Sequence, residues 1–271
     1  MIFSFSRALI SFETSEHEGG GEVKSSALEF VYRSDSWHHG CMSAIRTARD
    51  RARAELTREI KDEARRQLAE VGAHGLSLRA VSRELGMVSS ALYRYFPSRD
   101  HLLTALIVDA YNAIGEAVET ADPGPDTPSR QRWKRVWHAT RAWAREHPHE
   151  YSLIYGSPVP GYQAPADTIA PAGRVAMVLL RVAGSGPLKP PPSPPLPPEL
   201  REQARQLIDT LGLRGTEADM ARLIIAWTQL YGAISFELYG QYTNVVEPAD
   251  AFFAYLTEHM ANFVGLPGEA E

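Results

Sequence analysis

The stretch from Ser77 to Phe96, SLRAVSRELGMVSSALYRYF, restricts the fold more than any other part of this 271-residue chain. Val81 and Leu85 lie one helical turn apart and share a face, and Met87 and Leu92 are spaced to close over that face from beyond a corner. Ser82 is small enough for a second helix to approach closely, and Gly86 supplies the positive φ that a tight corner needs. Ser77 is a good N-cap, its hydroxyl able to accept from an orphan backbone N–H. The spacing therefore predicts two short helices joined at a sharp turn. The side chains left outside on the second helix, Ser89, Ser90, Ala91, Tyr93, Arg94 and Tyr95, are small, hydroxylated or basic. That profile suits a helix lying in a DNA groove better than one packed in a core.

A net charge of −5 argues against a nucleic-acid partner until it is divided along the chain. From Ile45 to Asp100 there are 12 Lys and Arg against 8 Asp and Glu, while the segments before and after carry −3 and −6. Charge separated in this way directs one end of the molecule toward phosphate. A single cysteine, Cys41, rules out an internal disulfide and suits a reducing cytoplasm, where the protein is expected. No apolar run approaches the roughly 20 residues that a membrane span requires.

Taken in order, residues 1 to 44 show no sustained period and are expected to be a disordered extension. His38, His39 and Cys41 are too few and too close to make a metal site. From about Arg49 to Val71 the positions of Leu56, Ile60, Ala64, Leu68 and Val71 predict a helix with one buried stripe, ended by Gly72 and Gly75. Arg46, Arg49, Arg51 and Arg53 at its leading end are candidates for phosphate contact or for a solvated face. Pro97 stops the second short helix and Ser98 caps the next, Arg99 to about Ala121, whose apolar stripe runs from Leu102 to Val118. It is expected to be the only rigid element joining the basic unit to the rest. DPGPDTP (Asp122 to Pro128) breaks the chain, placing a domain boundary between about residues 98 and 122. Further helices are expected over Pro128 to His147, from Pro148 onward, Ile169 to Val182 and Glu199 to Leu213. Between them Gly184 to Pro198 (GSGPLKPPPSPPLPP) reads as a stiff polyproline-like linker. Two long helices, too apolar all round for surface helices, finish the chain.

The run GMVSSALYRYFPSRDHLLTALI (Gly86 to Ile107) resembles the second half of the DNA-binding domain of TetR-type transcriptional regulators, most specifically in Leu92 to Phe96. The resemblance reaches back to about Arg49, and more loosely forward over the whole chain. Met42 opens MSAIRTARDRARAEL, similar to the basic start of many such proteins, so residues 1–41 are expected to be an upstream extension. Val88 stands where Ser or Thr usually caps the recognition helix, which moves the expected cap to Ser89. The C-terminal part resembles a branch with a Trp-x-x-x-His-Gly pattern, here Trp227, Tyr231 and Gly232, with Tyr in place of His.

The resemblance implies an all-α fold: an N-terminal three-helix helix-turn-helix domain over 45–97 and a larger helical ligand-binding and dimerisation domain over 98–271. It implies double-stranded DNA with a roughly palindromic operator as a partner, contacted by Ser77, Arg79 and Arg99 as well as the outward residues above. It also implies a homodimer formed by the last two helices. The apolar faces there agree, with Trp227, Tyr231, Ile234, Leu238, Phe252, Tyr255, Leu256 and Phe263 as the expected contacts. A small apolar or aromatic effector is implied too, with Tyr111, Trp133, Trp137, Tyr151 and Tyr155 as candidate walls. No nucleophile elbow, phosphate loop or His-Glu-x-x-His pattern is present, and His147, His149 and Glu150 read as a helix start. No enzyme activity, cofactor or metal is expected. The expected function is that of a repressor released by its effector, with an activator or a helical ligand-binding protein without DNA binding as alternatives.

Overall fold

The computed structural model describes residues 48–268. The expected extension, the start at Met42, the group of His38, His39 and Cys41, and Arg46 lie outside the described residues. Among the described residues the chain is all helical, with ten α-helices and no strand. None of these helices is long and apolar enough to cross a membrane.

α1 (Ala48–Gly75) buries Ile60, Ala64 and Leu68 along one face. Val71, expected to continue that stripe, is instead 57% exposed. The helix is interrupted one residue later at Gly72 (φ 67°, ψ 176°), and its last turn leaves the line of the stripe. α2 (Leu78–Glu84) and α3 (Ser89–Leu92) follow, then α4 (Arg99–Ala121). Ser98 caps α4 as expected, its Oγ accepting from the His101 backbone N–H at 3.3 Å. Leu102, Leu103, Leu106, Ile107, Ala110, Tyr111, Ile114 and Val118 are all buried, so the stripe read from the sequence is the face that packs. α5 (Ser129–Glu146), α6 (Pro148–Tyr155), α7 (Ile169–Ala183), α8 (Pro198–Leu211), α9 (Glu217–Leu238) and α10 (Ala249–Val264) complete the fold.

The chain divides into two compact units, and α4 contributes to both. One unit holds the described chain through Tyr111 together with His149–Ala172. Its helices are tied by charge: Lys61 Nζ donates to both Asp109 carboxylate oxygens at 2.9 Å, and the Arg65 guanidinium donates to Asp62, Asp109 and Glu150 at 2.6, 2.7 and 3.0 Å. α1 is thereby bound to α4 and also to α6, so α4 is not the only element attached to the N-terminal helices. A hydroxyl pair, Thr104 and Tyr162 at 2.8 Å, adds a second tie from the loop after α6.

The other unit holds Asn112–Pro148 and the described chain from Gly173. Buried arginines lock its helices. Arg132 grips Asp122 with two hydrogen bonds of 2.7 Å. Arg141 grips Glu237 at 2.6 and 2.7 Å and Asp250 at 2.6 Å, and its guanidinium lies 4.8 Å over the Phe253 ring. Arg130 donates to the Leu266 and Pro267 carbonyls and to Glu258. The proline-rich segment is held on this unit: the Lys189 N–H donates to the Gly265 carbonyl at 2.8 Å, and Arg222 donates to Ser193 Oγ at 2.7 Å. Gly265 has φ 85°, and a Cβ there would fall 2.3 Å from the Pro190 nitrogen, so only glycine lets the strap lie so close.

The Asp122–Arg132 pair sets a pH dependence. Hydrogen bonding to Arg132 holds the Asp122 carboxyl below its usual range. A lowered folded value means the stabilisation is complete above the unfolded carboxylate value, about 3.9. It is lost as pH falls through the folded value. Asp122→Asn should cost about 3 kcal/mol in urea unfolding at pH 7, because it leaves a buried guanidinium unpaired. The gap between variant and parent should shrink as the medium is acidified below pH 4. An undiminished gap there would show that the Asp122 charge is not its source.

Candidate nucleic-acid interface

The corner between α2 and α3 turns at Gly86, with φ 63°. The Met87 N–H donates to the Ser82 carbonyl at 2.8 Å across it. Val81 and Leu92 are fully buried on its inner side, and Ser82 is buried beside them. Ser82 Oγ lies 3.1 Å from Ser89 Oγ, the close helix approach that a small side chain permits. Two expectations about caps need correction. Ser77 stands at the N-cap of α2 with extended backbone, yet its hydroxyl makes no cap bond. The cap of α3 does not move to Ser89: Val88 occupies it, without a side-chain bond, and Ser89 is the first helical residue, its hydroxyl paired with Ser82.

α3 is only four residues long. The chain then continues in a tight turn, with the Arg94 N–H donating to Ala91 and the Tyr95 N–H to Leu92. Tyr93, Arg94 and Tyr95 therefore sit on this turn and not on the helix proper. Arg79, Ser90, Tyr93 and Arg94 are exposed, while Ser77, Ser89, Ala91 and Tyr95 are half-buried. Arg99 is committed inward: its guanidinium donates to the Leu76 carbonyl at 3.1 Å and the Ala73 carbonyl at 2.6 Å, fastening the end of α1 to the start of α4. Arg49 and Arg51 are exposed. Arg53 does something the sequence did not signal, with its guanidinium 5.2 Å over the Tyr95 ring. Forty-two positions separate the two residues, so no local spacing could have paired them.

The five candidate effector residues form two clusters in different units. Tyr111 meets Tyr155 edge-on at 5.9 Å, and Tyr155 lies 5.1 Å from Tyr151. Burial pushes the Tyr111 hydroxyl up to about 12. Trp133 and Trp137 lie 5.5 Å apart in the other unit, with Phe253 6.0 Å from Trp137. The Trp133 Nε1–H donates to the Thr257 carbonyl, whereas the buried Trp137 Nε1–H has no hydrogen-bond partner among the described residues.

Among the expected dimer contacts, Ile234 is corrected. It is fully buried in its own chain, on the inner face of α9 with Met220, Ala226, Leu230 and Ala233, and cannot meet a second copy. Trp227, Tyr231, Leu238, Phe252, Leu256 and Phe263 are half-buried, and Tyr255 is 67% exposed. The spacing that puts Ile224 on the stripe gives no sign of Ile225 and Phe236 on the opposite side of α9 or of Tyr239 at its C-cap, and all four are exposed. His147 rests against Trp143 at 5.2 Å and Glu150 accepts from Arg65. Among the described residues no group of three or more His, Cys, Asp or Glu is arranged to hold a metal.

Comparison with known proteins agrees with this geometry. Residues 60–106 match the family described as bacterial regulatory proteins, tetR family, and residues 133–260 match the tetracyclin repressor-like C-terminal domain. The HTH-type transcriptional regulator Rv1816 of Mycobacterium tuberculosis is 37% identical over 206 residues, covering 70% of this chain and 84% of that protein. HTH-type transcriptional regulator Mb1846 of Mycobacterium bovis matches with the same figures. Among solved structures, the putative regulatory protein SCO4313 superposes with a TM-score of 0.67 at 32% identity, over 79% of this chain and 98% of that one. A protein of unknown function from Rhodococcus sp. RHA1 shares the fold, with a TM-score of 0.56 at 20% identity over 81% and 96% of the two chains.

The Arg53–Tyr95 stack is open to direct measurement. In a double-mutant cycle of urea unfolding, Arg53→Gln and Tyr95→Leu should couple by about 0.5–1 kcal/mol, the worth of an exposed cation–π pair. Additive effects would show that the stack contributes nothing to holding Tyr95.

Proposed function

The chain belongs to the TetR family of bacterial transcriptional regulators and has its helix-turn-helix DNA-binding domain, and from that premise we propose that it is a homodimeric repressor released by a small apolar or aromatic effector. It is a regulator and not an enzyme. The observation that carries the proposal is the outer side of the corner. Ser90, Tyr93, Arg94 and Arg79 are exposed there, in the unit that also exposes Arg49, Arg51 and Arg53. Hydroxyl and guanidinium donors of this kind serve phosphate and base edges, and the tight, buried inner side holds them in fixed relation. We assign DNA contact to residues 45–97, and effector binding and dimerisation to 98–271.

Dimerisation is supported by Ile224, Ile225 and Phe236 on α9, Tyr239 at its C-cap and Tyr255 on α10, a set of large side chains exposed in the single chain. Two copies would bring their α3 helices into successive major grooves about 34–36 Å apart. Effector release is supported by the Tyr111–Tyr151–Tyr155 cluster, which lies on α4 and α6, two elements that carry ion-pair partners of α1. A ligand spreading these rings would pull Glu150 and Asp109 from Arg65. It shifts DNA affinity only by its differential affinity for the two states, of which about 1–3 kcal/mol is usual.

Tyr93→Ala and Arg94→Ala should each weaken binding to a duplex from the gene's own upstream region by about 1–3 kcal/mol, with helicity retained. Parent affinity should fall steeply with salt in the same mobility-shift assay. Salt-independent binding, or full affinity in the double variant, would move the DNA contact elsewhere. At the dimer face, Phe236→Asp and Tyr239→Asp together should give folded monomers in sedimentation, whereas Ile234→Asp should unfold the chain by burying a carboxylate. A persistent dimer in the first variant would exclude this face.

A further inference from the structure

Val88 is an apolar residue of the helix-turn-helix for which folding supplies no reason. It stands at the N-cap of α3, a position that favours side chains able to accept a backbone N–H and disfavours valine. It makes no such bond, and it is 71% exposed. Met87 before it and Ser89 after it are half-buried. One exposed valine on an ordinary surface means little. This one leads the helix whose first residues meet base edges when a helix-turn-helix docks. Departures from local folding preference concentrate where function overrides it.

We propose that Val88 reads the C5-methyl group of a thymine in the major groove and so sets part of the operator sequence. The proposal rests on the DNA-binding reading above and adds the chemistry of one base contact. A valine side chain has no donor or acceptor, so it cannot pair with a phosphate or with the polar edge of a base. Thymine alone among the four bases projects a methyl group into the major groove. Contact between the two apolar groups removes both from water. Against cytosine or adenine the same side chain would cover an amine, and against guanine two acceptors, without returning a hydrogen bond. Val88 therefore selects by attraction to one base and by unpaired polar edges at the others. The two-fold symmetry of the dimer calls for one such thymine in each half-site.

The test uses the full chain and a duplex selected from a random library by the parent protein. The selected consensus should hold a thymine at one symmetry-related position of each half-site. Replacing it with deoxyuridine, which lacks only the methyl, should weaken the parent about fourfold per half-site, and roughly fifteenfold when both are replaced, in line with one lost methyl burial each. Val88→Gly, an exposed N-cap substitution that leaves the fold intact by circular dichroism, should bind the thymine and deoxyuridine duplexes equally. A parent that no deoxyuridine replacement weakens, or a Val88→Gly variant with the parent's sensitivity, overturns the proposal while leaving DNA binding in place. Failure of the parent to select any sequence would overturn DNA binding itself, and the thymine contact with it.

Discussion

A helix of four residues does not persist in water alone, since fixing its first turn costs more than the hydrogen bond it gains. α3 exists because Leu92 and Phe96 are buried, together with Leu78 and Val81 of α2, in a unit that also buries Ile60 and Leu68 of α1 and Leu102 and Leu103 of α4. Each such side chain contributes about 1.5–3 kcal/mol when taken fully from water. Gly86 makes the corner, Ser82 lets the helices close, and Arg99 binds carbonyls at and just beyond the end of α1 to the first turn of α4. With its inner face so constrained, the outer face is free to be chosen for something other than folding. Its polar residues, and the uncapped Val88, follow from that freedom.

The same unit explains how the far part of the chain can bear on this surface. α6 clusters with the N-terminal helices although some fifty residues of sequence separate it from them. Arg65 is the reason visible in side chains: one guanidinium shared by carboxylates from α1, α4 and α6. Partly exposed pairs of this kind are worth little singly. A shared guanidinium instead fixes where three helices stand, which is what the proposed effector would have to disturb. The second unit is locked differently, by buried arginines whose partners are distant in sequence: Arg130 with the C-terminal carbonyls and Arg141 with α9.

Much of this was legible in the residues. The turn at Gly86, the bounds of α4 and its buried stripe follow from local spacing, and local spacing is what sequence displays. The failures share one cause. Val71 fits the period of α1, but the backbone breaks at Gly72 and turns it to water. Ile234 and Phe236 are both apolar residues of one helix, and only packing against the rest of the chain decides which faces inward. The aromatic residues of α4, α5 and α6 were read as one candidate wall because composition cannot separate them, whereas the fold sends the tyrosines and tryptophans to different units. Charge leaves Arg53 open to phosphate or to solvent, and the resemblance alone makes Arg99 a DNA contact; neither shows the partner that the fold supplies. One is stacked on Tyr95 and the other holds carbonyls, partners that lie 42 and 23 or more positions away.

The central claim is that paired helix-turn-helix corners, one from each of two chains, grip DNA on one side of the duplex. Hydroxyl-radical footprinting of the full chain on its selected operator tests it most directly. The account predicts two protected backbone patches on the same face, one helical turn or about 34–36 Å apart, both lost when Tyr93 and Arg94 are replaced by alanine. A single patch, or protection that survives those replacements, would contradict it.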